Sequence, residues 1–309
     1  MRALLIMGPT ASGKSALALA LAELLGGEIV NADSMQVYRD LRVLTARPTD
    51  EDMARARHHL YGHVDAAERY STGRWLADAL VVIAGIRARQ RVPIVVGGTG
   101  LYFRALTEGL APAPPAEAGL RQRLAEEWNE KGGADLHARL MALDPEAGSR
   151  IHPTDPSRLL RALEIAESGG RISELQRQTR TGFSDWAGVA LTPDRAALYA
   201  AINARFDAML VAGALHEAHA LAARGLDPLL PAMKAHGMPH LAAHLAGAMS
   251  LDAASELGRR DTRRYAKRQF TWIAHQIAGW TRIADPGLET RCANAESAWH
   301  GQISPQNAH

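Results

Sequence analysis

Three short apolar runs mark the first hundred residues, and each stops at a cluster of glycine or polar side chains. Arg2 to Met7 runs into Gly8-Pro9, Glu28 to Asn31 into Ala32-Asp33-Ser34, and Val92 to Val96 into Gly97-Gly98-Thr99. Runs this short, bounded by such breakers, read as strands. Between them lie Ala16 to Leu25, a run of strong helix formers, and Ser71 to Arg89, a longer helical stretch. Strand and helix alternating in this way predict an α/β fold, a parallel sheet flanked by helices. In that architecture ligands collect beyond the carboxyl ends of the strands, so the three polar clusters should share one crevice.

The alternation breaks at Glu108-Gly-Leu-Ala-Pro-Ala-Pro-Pro115, a proline-rich exit with no helical option. Gly119 to Leu143 and Pro156 to Ser168 then show helical periodicity, which predicts an all-helical insertion over 116–185. Gly188 to Leu191 reads as a strand returning to the sheet, and Asp194 as the N-cap of a helix carrying Tyr199, Arg205 and Phe206. The core is thus expected to be split, over 1–115 and 186–285. The chain reads as mostly helical to about Ile283, and 286–309, polar and without clear periodicity, as a flexible tail.

Composition narrows the setting. A chain of 309 residues with 47% hydrophobic side chains can bury a sizeable core. A single cysteine, Cys292, rules out an internal disulfide and a cysteine-built metal site, and suits a reducing cytoplasm. The apolar opening is too short for a signal-peptide core, and Trp75 to Ile86 is broken by Asp78 and too short to span a bilayer, so no membrane association is expected. Nothing resembles a dimerisation heptad, and a monomer is expected. The formal net charge is only +2, so any affinity for polyanions depends on where the charges stand.

Gly8-Pro9-Thr10-Ala11-Ser12-Gly13-Lys14-Ser15 matches the phosphate-cradling loop (P-loop) G-x-x-x-x-G-K-[ST], with the required strand before it and helix after it. Glycines let successive N–H groups turn inward on a phosphate, Lys14 adds a mobile positive charge, and the Ser15 hydroxyl can ligate Mg²⁺. Asp33, at the next strand end, could act as a base, hold Mg²⁺ through water, or cap a helix. Its neighbours Ser34, Met35, Gln36 and Tyr38 add enough polar variety to read a nucleobase edge. After the third strand stands Gly97-Gly98-Thr99-Gly100-Leu101-Tyr102, where many nucleoside triphosphatases carry a Mg²⁺-holding Asp. Thr99 could donate to an oxygen that becomes negative as a bond breaks, or cap the following helix. The sequence has no Asn-Lys-x-Asp guanine-reading stretch, which weakens a GTPase reading further.

Between Arg259 and Arg268, six positive charges stand against one negative in ten residues. Such runs are usually solvated helix faces, but this one is almost unbalanced in a near-neutral chain, which favours phosphodiester contact. A second basic cluster, Arg150, His152, Arg158 and Arg161, falls in the insertion. His236, His240 and His244 superficially resemble a metal set, but Pro239 interrupts the helix and no carboxylate completes a catalytic zinc pattern. His58-His59 reads as loop or phosphate-facing surface.

Taken in order, Gly8 to Ser15, Asp33-Ser-Met-Gln36, Gly97-Gly-Thr-Gly-Leu-Tyr102, Arg158-Leu-Leu-Arg-Ala-Leu-Glu164 and Thr262-Arg-Arg-Tyr-Ala-Lys-Arg-Gln-Phe-Thr-Trp272 resemble the motifs of bacterial tRNA dimethylallyltransferases over about residues 1 to 283. The resemblance implies that Gly8, Thr10, Ala11, Ser12, Gly13, Lys14 and Ser15 hold the diphosphate of dimethylallyl diphosphate, with Mg²⁺ on Ser15 and Arg205 added as a diphosphate contact. It implies Asp33 as the base and Thr99 as a catalytic hydroxyl. It also implies contact with the tRNA anticodon stem-loop through Asp33, Ser34, Met35, Gln36 and Thr99, and through Arg121, Ser157, Arg158, Leu159, Leu160 and Arg161 of the insertion. The prenyl group would pass to N6 of the adenosine 3′ of the anticodon. The chain departs from the family at Leu44-Thr45-Ala46-Arg47-Pro48, where Gly-Thr-Ala-Lys-Pro is usual, and around His236-Gly237, where a Gly-Tyr pair is common. A small-molecule kinase with the same phosphate loop and an RNA-binding protein with a vestigial loop are the alternatives.

Overall fold

Ala3–Met7, the first strand, has no exposed residue on either face, and that total burial sets the architecture around it. The computed structural model describes residues 1–111, 114, 119–178 and 181–301. In chain order the elements are β1 (Ala3–Met7), α1 (Lys14–Leu25), β2 (Gly27–Asn31), α2 (Asp50–Arg55), β3 (His58–His59), α3 (Thr72–Ala88), β4 (Val92–Gly97) and α4 (Gly100–Glu108). Next come α5 (Leu120–Lys131), α6 (Gly133–Leu143), α7 (Pro145–Arg150), α8 (Pro156–Glu167) and α9 (Ile172–Arg177). The chain then returns through β5 (Trp186–Leu191), α10 (Arg195–Val211), α11 (Ala214–Ala223), α12 (Met238–Leu245), α13 (Leu251–Gln276), β6 (Thr281–Ile283) and α14 (Leu288–Gly301).

The strands form one parallel sheet in the order β3-β2-β4-β1-β5-β6. Alternate side chains of each strand enter opposite cores, as the pleat requires. Leu5, Met7, Val30 and Val95 face Trp75, Tyr102, Phe103 and Trp280, while Leu4, Ile6, Ile29 and Ile94 face Leu17 and Leu21 of α1 with Ala295 and Ala298 of α14. Each fully buried leucine or isoleucine adds on the order of 1.5–3 kcal/mol. In register Met7 lies opposite Gly97 and Val96 opposite Asn31, so β2, β4 and β1 end side by side. The sequence placed Asp33, Thr99 and the phosphate loop at those three ends.

Contacts divide the chain into Met1–Thr107 with Phe183–His309 as one unit and Glu108–Gly182 as the other. The second has its own core of Leu120, Leu124, Leu136, Leu140, Leu159 and Leu163. Gly132, with φ +77°, separates α5 from α6 within the stretch that read as one periodic run.

Two expectations need correction. Of the expected tail 286–309, 302–309 lies outside the described residues and Leu288–Gly301 does not fray: it forms α14, which packs on α1 and β5, and Arg2 Nη1 donates to the Trp299 carbonyl at 2.8 Å. Its buried face is Arg291, Ala295 and Ala298, at helical spacing but too weakly apolar to register as a pattern. The stretch that reads as mostly helical holds α10 to α13 and closes on an edge strand, Thr281–Ile283. His58-His59 is also an edge strand: His59 Nε2 pairs with Glu28 at 2.7 Å and His58 Nδ1 with the Ala56 carbonyl at 2.8 Å, so neither ring is phosphate-facing surface. A two- or three-residue strand is too short to show any alternation.

Candidate active site

The loop after β1 is shaped by its own backbone. Ala11 (φ +63°) and Gly13 (φ +83°) take left-handed conformations on either side of Ser12, and Ser12 N–H donates back to the Pro9 carbonyl at 3.2 Å. Such alternation turns N–H groups to one side as an anion-binding concavity, continued by the N-terminus of α1. Lys14 Nζ folds over the loop to the Pro9 carbonyl at 3.3 Å. The Ser12 hydroxyl is buried with no hydrogen-bond partner, an orphan suited to an anionic ligand. Ser15 stands exposed in the first turn of α1.

Thr10 is committed differently. Its amide donates to Gln269 Oε1 at 2.8 Å and its hydroxyl accepts from Arg205. Gln269, from α13, also donates from Nε2 to the Gly98 carbonyl at 2.8 Å, so one buried amide ties the phosphate loop to the turn after β4. Thr10 therefore reaches a ligand through Arg205, with its own amide already used.

Asp33 is held by Asn31, whose Oδ1 accepts from Asp33 N–H at 2.8 Å and whose Nδ2 donates to the Asp33 carbonyl at 3.0 Å. Asp33 Oδ1 accepts from Met35 N–H at 2.9 Å. Beside it, Thr99 Oγ1 accepts from Ser34 N–H at 3.0 Å and reaches the Ser34 hydroxyl at 3.3 Å. Thr99 is thus joined through its side chain to the Asp33 loop, and it stands directly before α4. Only glycine fits before it, because a Cβ at Gly97 would lie 2.0 Å from the Ala32 carbonyl oxygen. Gln36 donates both ways into the neighbouring loop, to Thr45 O at 2.8 Å and Ala46 O at 3.0 Å, so its amide braces the crevice wall.

A crevice of about 530 Å³, counted with its open mouth, lies between these elements. Thr10, Asp33 and Arg205 share it with apolar Met35, Leu44, Ile202, Phe206 and Met209. Thr45, His236, Thr262 and Tyr265 complete the lining. Burial lowers the Lys14 ammonium to about 8; Asp33 opposes that shift and Arg205 adds to it. Burial also lowers Arg205, again opposed by Asp33, and raises the phenols of Tyr61, Tyr102 and Tyr265, where the charge on Asp33 adds to the effect. His236 is lowered by burial and by Arg268, which keeps its imidazole neutral near pH 7. A carboxylate and a guanidinium thus share a partly apolar cavity, with Lys14 close enough to feel both charges, a place for a ligand with an anionic head and a hydrocarbon end.

The remaining predicted residues lie in the helical unit or on α13. In the helical unit, Ser157 and Arg158 are exposed in the first turn of α8, and Arg158 N–H is capped by Asp155 at 3.1 Å. Arg161 pairs with buried Glu164 at 2.7 Å, and Arg121 reaches the same oxygen at 3.8 Å. Leu160 is half-buried. Leu159 is a correction: it is fully buried in the leucine core, so its side chain cannot meet RNA. The ridge on α13 is also divided. Arg259 and Arg263 are taken by Asp207, Glu256 and Asn203, while Arg260, Arg264, Lys267 and Arg268 remain exposed. His240 pairs with Asp261 at 2.8 Å, and His244 Nδ1 with the Met249 carbonyl at 3.0 Å.

Asn31, Gln269 and Tyr265 had no assigned role in the sequence. Gln269 and Tyr265 stand inside a recognised motif, but their partners are remote; Asn31 carried only the weak signal of a polar residue closing a buried strand.

Fold and site together define an α/β enzyme in which a phosphate loop faces an aspartate. Comparison with known proteins narrows this class. The family described as IPP transferase matches residues 36–276, and isopentenyl transferase matches residues 1–63. The chain is 57% identical over 280 residues to a tRNA dimethylallyltransferase of Phenylobacterium zucineum, covering 90% of this chain and 91% of that one. It is 52% identical over 298 residues to its counterpart in Nitrobacter hamburgensis, covering 94% and 93%. Among solved structures it resembles the tRNA isopentenylpyrophosphate transferase of Bacillus halodurans, with TM-score 0.70, 33% identity and 97% of each chain covered. It also resembles a eukaryotic dimethylallyltransferase acting on tRNA, with TM-score 0.75 and 30% identity over 88% of this chain and 69% of that one. The chain belongs to the tRNA dimethylallyltransferase family.

Proposed function

We propose that this enzyme transfers the dimethylallyl group of dimethylallyl diphosphate to N6 of the adenosine 3′ of the anticodon in tRNA, releasing diphosphate. The observation that carries the reading is the crevice in which Thr10 of the phosphate loop, Arg205 and Asp33 stand beside apolar side chains, with the charge of Asp33 acting also on Lys14. The N6 lone pair is delocalised into the purine, so the amine attacks poorly unless its proton is accepted as it reacts. Asp33 accepts that proton. N6 bonds to C1 of the prenyl group while the C1–O bond breaks and its electron pair leaves with the diphosphate. Lys14, Arg205 and the loop amides from Ala11 to Ser15 hold the leaving group, and they hold it more strongly as its charge grows. Thr99, fixed to Ser34, borders the point of transfer.

The Ser15 hydroxyl, exposed in the first turn of α1 beside the phosphate loop, is the oxygen that would hold Mg²⁺. When bound, the ion would neutralise part of the diphosphate charge. The target base must leave its stack to reach this crevice. RNA contact is assigned to Asp33, Ser34, Met35, Gln36 and Thr99 in the sheet unit, and to Arg121, Ser157, Arg158, Leu160 and Arg161 in the helical unit. The exposed cations of α13 supply further phosphate contacts. We read the enzyme as acting as a monomer. We place it in the cytoplasm, with its RNA substrate; among the described residues no single helix is long and apolar enough to cross a membrane. The kinase alternative lacks support at β4, whose end carries Gly97-Gly98-Thr99 in place of an acid.

Incubating the protein with labelled dimethylallyl diphosphate and tRNA, alongside ATP with a metabolite panel, tests the proposal. Label is expected on N6 of the adenosine beside the anticodon, identified by mass spectrometry of digested tRNA. Phosphorylation of a metabolite with no labelled tRNA would overturn it.

A further inference from the structure

We infer that Arg291, on the C-terminal helix, is a positioning residue for diphosphate binding: it acts from behind the phosphate loop, on the loop's backbone. The inference rests on the proposed role of that loop in holding the prenyl diphosphate. Arg291 Nη1 donates to the Ser12 carbonyl at 2.8 Å, and its Nε donates to the Asp285 carbonyl. The residue is 9% exposed, and among the described residues no carboxylate lies within ion-pair distance of it. A buried guanidinium bonded only to carbonyl oxygens is costly unless something offsets it. The compensation here is the site itself, because a fixed positive charge beneath an anion-binding loop gains when the anion arrives.

Geometry gives it a second effect. In a trans peptide the C=O and N–H point in opposite directions, so pinning the Ser12 oxygen on Arg291 turns Gly13 N–H to the other side of the loop, where the diphosphate is proposed to sit. Gly13 meets this demand with φ +83° and no side chain; a Cβ there would lie 2.7 Å from Arg291 Nη1. The arginine in turn is aimed by its helix. Arg291, Ala295 and Ala298 form the buried face of α14, and the alanines pack with Leu17 and Leu21 of α1, the helix the loop leads into.

The test measures binding of inorganic pyrophosphate by calorimetry, steady-state kinetics with dimethylallyl diphosphate and tRNA, and thermal unfolding, for wild type, Arg291→Met and Arg291→Lys. For Arg291→Met we expect pyrophosphate affinity and KM for the prenyl diphosphate to worsen together by about tenfold, with KM for tRNA unchanged. Arg291→Lys keeps the charge without the fork and should recover part of the loss. Unchanged pyrophosphate affinity in Arg291→Met overturns the inference. So does a parallel rise in both KM values with early unfolding, which marks a general structural role. Should Arg291→Met fail to fold, the Lys variant decides: wild-type pyrophosphate affinity refutes the inference, and a selective loss supports it. A wild type that binds pyrophosphate but prenylates no RNA would count against the proposed function and leave this inference to the binding data.

Discussion

Asp33 is restrained by Asn31 through two hydrogen bonds to its backbone and by Met35 through one to its carboxylate, so the proposed base is oriented before substrate arrives. Its replacement by asparagine keeps the shape and removes the basicity. Asp33→Asn should lower kcat by roughly 10²–10⁴-fold while KM for the prenyl diphosphate moves little, as read by steady-state kinetics. Lys14 yields a pH test. Burial brings its ammonium from the usual 10.5 to about 8, so the charged form is disfavoured in the folded protein and the proton leaves as pH rises through that value. Pyrophosphate affinity should therefore be flat below pH 8 and weaken above it, and Lys14→Arg should remove the inflection. The effect on stability has the opposite sign. Between pH 8 and 10.5 the unfolded chain holds the extra proton, so the penalty for burying Lys14 fades as pH rises.

Among the elements, α13 joins most of the site. It contributes Thr262 and Tyr265 to the crevice and Gln269 to both loops, and its other side packs on α10. That packing is close at Gly258, where a Cβ would stand 2.4 Å from the Phe206 ring, and Phe206 itself lines the crevice. Gly258→Ala should cost roughly 1–3 kcal/mol of stability by overpacking, seen as a lowered denaturation midpoint, and should raise KM for the prenyl diphosphate through the displaced ring. Glu217 on α11 performs a comparable service for the opposite wall. Its carboxylate accepts from the amides of Arg42, Val43 and Leu44 at 2.6 to 2.8 Å, and Gln36 holds the next two carbonyls of the same loop.

For the whole molecule the relevant quantity is how charge is distributed over a chain with a formal net charge of only +2. On α13 the arginines divide into those bonded to α10 or Glu256 and those facing solvent, and the two sets should behave differently. Replacing Arg264 and Lys267 together by alanine should reduce the salt dependence of tRNA binding by about 0.7–0.9 in log–log slope per residue and leave thermal stability nearly unchanged. Replacing Arg263, which holds Asn203 at 2.6 Å and Glu256 at 2.8 Å, should instead lower the unfolding temperature. Binding measured across a salt series, with calorimetric melting, separates these outcomes.

How far the sequence could be read depended on how local each feature was. The phosphate loop, Asp33 and Thr99 were legible because a buried strand, a tight turn and a helix start are specified within a dozen residues. Leu159 was misread because the motif containing it mixes exposed and buried helix faces, and only the leucine core of the helical unit separates them. Strands β3 and β6 were too short to show a period, and α14 buries alanines and an arginine, which no hydrophobic pattern marks.

The sequence by itself determined the class of fold, the glycine-rich turn that follows the first strand and the polar clusters that close the next strands, because each depends on neighbours along the chain. Only the tertiary structure decided that Gln269 would fasten the loop at Thr10 from 259 residues away and Arg291 at Ser12 from 279. Those partners are chosen by the packing of whole helices against the sheet, which no local window of sequence contains.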